Sequence, residues 1–227
     1  MHLTLFGPPG SGKGTQAGFL TQHFGIPQVS TGDLFRAEIQ AGTPLGKQVK
    51  DYLDRGDLVP DQVTLGVVRR RLQEPDTAGG VLFDGFPRTV EQAVELDRML
   101  GEMDRRMDRV IFLQVPTEIL VSRMAGRLTC PVCGRTYHPK LAPPRNDSLC
   151  DDDRTPLIMR EDDRPETARR RIGVYLEQTL PVLAHYRQQH VVRDVDGLGS
   201  IEDVRARILK AVDRPDRSQA LRTGVDQ

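Results

Sequence analysis

The sequence predicts an α/β protein with a mainly parallel sheet flanked by helices. Three observations carry this. Short apolar runs alternate with helical patterns along most of the chain. A glycine-rich loop joins the first run to the first helix. Charged residues cluster at positions that follow the apolar runs, where open parallel sheets hold their ligands.

Residues 3–6 read as a buried strand, 26–29 as a second and 81–83 as a third ending at Asp84. Residues 110–115 form the clearest strand and 190–195 the last. Helical patterns cover 16–24, 90–101, 118–125, 165–189 and 201–212. Two stretches break the alternation. Residues 30–59 are mostly helical without a strand of their own. Residues 126–163 are rich in Pro, Asp and Arg and contain all three cysteines. Long insertions of this kind tend to act as lids or binding loops. The polar segment 213–227 lacks periodicity and is expected to be a flexible tail.

The 227 residues suffice for one good core with an insertion or two. Lys plus Arg and Asp plus Glu both number 32, so the net charge is zero, which gives no support for nucleic acid or an anionic membrane as partner. The chain opens in a strand and has no apolar run of about 20 residues, so neither a signal peptide nor a membrane span is expected. An odd number of cysteines is poor for a disulfide framework, and a reducing, cytoplasmic location is expected. No coiled-coil or exposed apolar stripe argues against a monomer.

Gly7-Pro8-Pro9-Gly10-Ser11-Gly12-Lys13-Gly14-Thr15 stands between a strand and a helix. That context suits a phosphate-binding loop, whose backbone N–H groups and helix N-terminus meet a polyphosphate while Lys13 reaches the outer phosphates. The alternative is a tight turn beside a solvated lysine. Gly14 stands where many such loops carry a magnesium-binding Ser or Thr, with Thr15 one step later. Magnesium is then held mainly by phosphate oxygens and water.

In Ser30–Arg36, Thr31 or Asp33 is a candidate helix cap, and Arg36 lies one turn after Asp33. In Asp84-Gly85-Phe86-Pro87-Arg88-Thr89, Asp84 suits ordering of magnesium waters, Gly85 permits close backbone approach, and Phe86–Pro87 is a candidate cis peptide. Arg88 can fork two hydrogen bonds to a phosphate. Gln92 can donate and accept toward a base edge. Arg123, Arg127, Arg160 and Arg171 recur where the fold converges, and Arg123 and Arg127, four apart, would share a helix face. The triplets 69–71 and 169–171 read mostly as surface charge.

Cys130-x2-Cys133 and, sixteen residues on, Cys150-x2-Asp153 have the spacing of a two-knuckle zinc site with aspartate as fourth ligand. His138 is the rival fourth ligand, and three reduced thiols in a loop are the plain alternative.

These motifs, in this order and over residues 1 to about 212, closely resemble adenylate kinases of the long, lid-bearing bacterial type. The resemblance implies a P-loop nucleoside-monophosphate kinase fold: a core of 1–29, 60–125 and 164–212, a monophosphate-binding segment at 30–59 and a zinc-bearing lid at 126–163. It implies reversible transfer of the terminal phosphoryl group of ATP to AMP, giving two ADP. ATP is then held by Gly10, Ser11, Gly12, Lys13, Gly14 and Thr15, with Arg123 and Arg127, and its adenine is flanked by Thr136, Tyr137 and Gly199. AMP is held by Thr31, Arg36, Asp57, Leu58, Val59, Gly85, Phe86, Pro87, Arg88 and Gln92. Arg160 and Arg171 close on the transferring group, and Lys13, Arg88 and Arg123 join them in catalysis. Asp33 and Asp84 order magnesium waters. Zinc sits on Cys130, Cys133, Cys150 and Asp153. Leu128 departs from the family, many of whose members have a second arginine after Arg127. The competing readings are a kinase of UMP or CMP, one using GTP as donor, a nucleotide-binding regulatory module without turnover, and a zinc-ribbon interaction domain on a nucleotide-binding core.

Overall fold

The computed structural model describes residues 1–213. The tail expected at 213–227 lies, apart from Asp213, outside the described residues. Five parallel strands form one sheet: β1 (His2–Phe6), β2 (Gln28–Ser30), β3 (Val81–Asp84), β4 (Arg109–Gln114) and, nearest the C-terminus, β7 (Val192–Asp196). Their spatial order is β2-β3-β1-β4-β7. All four pairings are parallel, with Leu5 opposite Asp84 on one side and Ile111 on the other. β1 and β3 are nearly all buried, as expected of strands covered on both faces.

Helices α1 (Lys13–Phe24) and α9 (Ile201–Asp213) cover one face, packing Ala17, Leu20, Val204 and Ile208 against Leu3, Leu5 and Ile111. The other face takes Phe6, Phe83 and Val110 and buries them against α4 (Asp61–Leu72), α5 (Val90–Glu102) and α8 (Val182–Gln188). Complete burial of a side chain such as Phe83 contributes about 2–3 kcal/mol. α2 (Thr31–Gln40) and α3 (Pro44–Arg55) form a small satellite with its own core around Phe35 and Val49. Beyond α6 (Thr117–Ala125), β5 (Leu128–Thr129) and β6 (Thr136–Tyr137) pair antiparallel over a core of Cys130, Tyr137 and Cys150. No helix among the described residues is long and apolar enough to cross a membrane.

Several boundaries differ from expectation. The second strand begins at Gln28 rather than 26, because Gly25 ends α1 at φ 63° and the Ile26 amide donates to Thr21 O at 3.2 Å. The sequence reading gave no element to 60–80, yet α4 lies there. Thr64, Val67, Val68 and Leu72 turn inward at helical spacing, while the arginine run at its end faces out. The single helix expected at 165–189 is interrupted. α7 (Pro165–Val174) passes into a π-helical turn, Tyr175–Thr179, before α8. Pro181 has no N–H to continue the ladder and crowds the preceding carbonyls, and the Leu180 amide instead reaches Tyr175 O at 2.8 Å. The helix after β2 is capped by Ser30, not by Thr31 or Asp33: its side chain accepts from the Asp33 amide at 3.3 Å. The Phe86–Pro87 peptide is cis.

α2 and α3 meet at Gly46, where a Cβ would lie 2.1 Å from Glu38 O. Thr43 sets this approach, accepting from the Gly46 amide at 3.0 Å while its hydroxyl bonds Glu38. Gly46→Ala is therefore expected to destabilise the protein by about 2 kcal/mol or more. Urea unfolding checks it, and an unchanged midpoint would show that the helices separate freely.

Candidate functional site

The carboxyl ends of β1, β2 and β3 open into one cleft of about 1530 Å³. Lys13, Arg36, Arg88, Arg123, Arg127, Arg160 and Arg171 all line it. A smaller cavity adjoins it, lined by Thr31, Leu58, Val59 and Gln92, and Arg36, Arg88 and Arg171 border both spaces.

The glycine loop forms because the chain must turn sharply between β1 and α1. Gly10 has φ 82° and Gly12 has φ 97°, and a Cβ on Gly10 would sit 2.9 Å from Leu120 O. No side chain caps α1, so its N-terminus keeps its positive end toward the cleft. The buried Ser11 Oγ has no hydrogen-bond partner among the described residues. Lys13 Nζ donates to Gly7 O at 2.8 Å and Pro8 O at 3.0 Å. Burial pushes Lys13 down to about 7; Asp84 opposes this, and Arg88, Arg171 and Arg127 reinforce it.

Asp84 ends β3 beside the start of α1, its Oδ2 3.7 Å from where a Gly14 Cβ would lie. Gln28 Nε2 donates to it at 3.0 Å. Burial raises its pKa; Lys13 opposes this, and Asp33 adds to it. Burial would also raise Asp33, but its ion pair with Arg36 and the nearby Arg160, at 3.8 Å, hold it below the ordinary carboxylate value. Arg88 Nε donates to Gly85 O at 2.7 Å. Burial and the Arg171 charge push Arg88 down to about 10. Burial, then Arg36 and Arg127, do the same to Arg160. Thr31 Oγ1 donates to Gly85 O at 3.1 Å, which leaves its lone pairs for a donor in the cavity.

One expectation changes here. α6 ends at Ala125, so Arg127 does not share a helix face with Arg123; it lies beyond the helix end, although both line the cleft. Arg171 lines the cleft with them, and its Nη1 donates to Asp162 O at 2.9 Å and Asp163 Oδ1 at 3.0 Å. Asp163 is fully buried and also takes Arg127 Nε at 2.7 Å. Sequence reasoning missed Asp162 and Asp163. The acidic run after Arg160, set among arginines, was the signal.

The Asp57 carboxylate turns to Arg170, at 2.6 Å, and to Arg55, so that residue offers the cavity its backbone. Tyr137 buries its ring against the cysteines, and its hydroxyl accepts from the Asp151 amide at 2.8 Å. Thr136 and Gly199, the latter at φ 107°, line the far end of the cleft. Gly85, Phe86 and Pro87 line its floor.

The donor atoms of Cys130, Cys133, Cys150 and Asp153 all lie within 4.8 Å of one another. Cys133 Sγ and Cys150 Sγ are 3.5 Å apart, too far for a disulfide and close to the ~3.8 Å edge of a tetrahedron with 2.3 Å metal–sulfur bonds. The Val132 and Cys133 amides point at Cys130 Sγ from 3.4 Å. The four residues fit a closed tetrahedral ion site. His138 is outside it, its Nδ1 accepting from the Lys140 amide at 3.1 Å.

A sequence model of the family described as adenylate kinase matches residues 5–191. The chain belongs to the adenylate kinase family. The adenylate kinases of Staphylococcus aureus (strains N315 and COL) and Staphylococcus epidermidis (strain RP62A) are each 46% identical to it over 213 residues, spanning 94% of this chain and 99% of theirs.

The depressed Lys13 has a measurable consequence. At pH 8 it is mostly neutral in the empty cleft, and a polyphosphate placed beside it raises its pKa again. Magnesium–ATP, already ionised at that pH, is expected to bind with uptake of close to one proton. Calorimetry in buffers of different ionisation enthalpy reads the uptake, and Lys13→Met should abolish it. Heats independent of the buffer would show that Lys13 stays charged in the empty site.

Proposed function

We propose that the protein catalyses reversible phosphoryl transfer from ATP to AMP, giving two ADP, and so balances adenine nucleotides. The observation that carries this reading is the pair of adjoining cavities sharing Arg36, Arg88 and Arg171. A glycine loop serves one cavity, and Thr31 and Gln92 line the other, so donor and acceptor phosphates would meet among the shared cations.

The roles follow from position. Gly10, Ser11, Gly12, Lys13, Gly14 and Thr15 hold the ATP phosphates, with Arg123 and Arg127 closing from the lid side. Thr136, the backbone at Tyr137 and Gly199 flank the ATP adenine. Thr31, the backbone of Asp57, Leu58 and Val59, the Gly85, Phe86 and Pro87 turn and Gln92 receive AMP. Arg36 and Arg88 take its phosphate, and Arg160 and Arg171 face the transferring group. Asp33 and Asp84 order the waters of the magnesium that accompanies ATP, an ion that neutralises phosphate charge.

The acceptor phosphate is largely ionised at neutral pH and needs no general base. The barrier lies in aligning two polyanions and stabilising charge on the moving group. Arg36 now pairs with Asp33, and Arg127 and Arg171 with Asp163 and Asp162. Arriving phosphates replace these carboxylates, so the cations exchange one anionic partner for another. Closing residues 126–163 over the cleft excludes the water that would waste ATP by hydrolysis. We place the protein in the cytoplasm, as a monomer.

Product analysis tests the reading: magnesium, ATP and each monophosphate in turn, with GTP as alternative donor. ADP formation is expected from ATP plus AMP. Fast transfer to UMP or CMP would overturn the acceptor assignment, and ATP binding without any transfer would leave a regulatory module. Arg88→Ala is expected to lower the rate by about two orders of magnitude or more with the fold unchanged. Near-normal kinetics would remove Arg88 from the site.

The ion on the cysteines is assigned as zinc with a structural role, since four protein ligands leave no open position. Cys130→Ser and Cys133→Ser should each lower the thermal midpoint far more than turnover at moderate temperature. Loss of activity with the midpoint intact would refute the structural role.

A further inference from the structure

Gln92 is 2% exposed and borders the smaller cavity, and both ends of its carboxamide are already engaged. Its Oε1 accepts from the Arg88 backbone N–H at 2.8 Å. Its Nε2 donates to Asp61 Oδ1 at 2.7 Å. Asp61 stands at the start of α4, and its other oxygen accepts from Thr89 Oγ1 at 2.8 Å. Thr89 is fixed in turn, accepting from the Gln92 amide at 3.1 Å as the N-cap of α5. An aspartate in a first helical turn ordinarily serves the helix dipole. Here both carboxylate oxygens are directed at α5.

We infer that Asp61 is a positioning residue that sets which bases the acceptor cavity admits, by locking the Gln92 carboxamide against rotation. The inference rests on the reading of that cavity as the monophosphate site. A carboxamide is nearly symmetric in shape, so its two orientations differ only through their partners. A carboxylate only accepts and a backbone N–H only donates. Rotating Gln92 by half a turn would set its oxygen against the Asp61 carboxylate and its NH2 against the Arg88 N–H. Both bonds would become repulsions. In the locked orientation one N–H and one lone pair remain for a ligand. Adenine offers the complement, an acceptor at N1 and an amino donor at C6. Hypoxanthine offers the reverse, a donor at N1 and an oxygen at C6, and meets like against like. Without Asp61 only the Arg88 N–H resists rotation, and Gln92 can turn to suit either base.

The test is kcat/KM for AMP and for IMP at saturating ATP, in the wild type, Asp61→Ala, the apolar Asp61→Leu and Asp61→Asn. The wild type should prefer AMP. Asp61→Ala and Asp61→Leu should lower that preference about tenfold to a hundredfold, the worth of one hydrogen bond to a charged group. The change should appear in KM, with kcat for AMP held. Asp61→Asn should keep most of the preference, because its oxygen can still face Gln92 while its NH2 donates to Thr89. An unchanged preference in folded Asp61→Ala or Asp61→Leu overturns the inference and leaves the monophosphate site standing. A wild type without preference for AMP overturns the base assignment itself. Wild-type NMR gives a check independent of variant folding: one Gln92 carboxamide proton should exchange slowly with solvent, and free exchange of both would overturn the lock.

Discussion

Crowding of positive charge is the constraint on which the rest of this structure depends. Burial disfavours the protons of Lys13, Arg88 and Arg171, and neighbouring cations add to it: Arg88 and Arg171 at Lys13, Arg171 and Arg36 at Arg88, Arg127 and Arg36 at Arg171. A cluster of this kind unfolds or deprotonates unless anions stand among it. Asp33, Asp84, Asp162 and Asp163 are those anions. Their bonds already orient the guanidinium groups, so little ordering would remain for the phosphates proposed to replace them. The same carboxylates would compete with those phosphates, which would keep release possible. An arginine cluster without them would be less stable when empty and slower to let its products go.

The fold sets where this cluster forms. Parallel pairing brings Ser30 beside Asp84 and Leu5 beside Asp84, so three strands end together at one edge. The loop after β1, the helix start after β2 and the turn after β3 then face one another across that edge. Residues far apart in sequence meet there because the register leaves the chain no other place to turn.

Much of this was legible in the sequence, and the part that was not has a common cause. The glycine loop, Asp84, Arg88 and the cysteine spacing are local patterns, readable because each uses a few adjacent residues under a tight backbone or ligand constraint. The central strands were readable because they hold short apolar runs such as 81–83 and 110–113. Asp162, Asp163 and Asp61 act only through partners that the fold delivers from elsewhere; the acidic run between Arg160 and Arg164 hints at the first two, and nothing nearby marks Asp61. α4 was hidden by its terminal arginines, which dilute the apolar stripe formed by Thr64, Val67, Val68 and Leu72. The π-helical turn follows from Pro181, yet whether a proline ends a helix or widens one turn depends on packing. Tyr175, at its start, belongs to the main core, and that anchor keeps the two halves in line.

Residues 126–163 invert the balance found in the core. The sheet is held by dozens of buried apolar side chains, whereas the lid buries only Cys130, Tyr137 and Cys150, with Leu128 and Leu157 against them. Segments with so little apolar burial do not hold a shape without a cross-link or an ion. An ion on the four-ligand cluster would supply that without adding apolar surface. This suits a segment proposed to close over the cleft. A lid stabilised by a larger apolar core would need more sequence and would expose more of it on opening. An ion on those four ligands would make the segment rigid within itself, and leave its attachment to the core to pairs such as Arg171 with Asp162 and Asp163, which a phosphate can break.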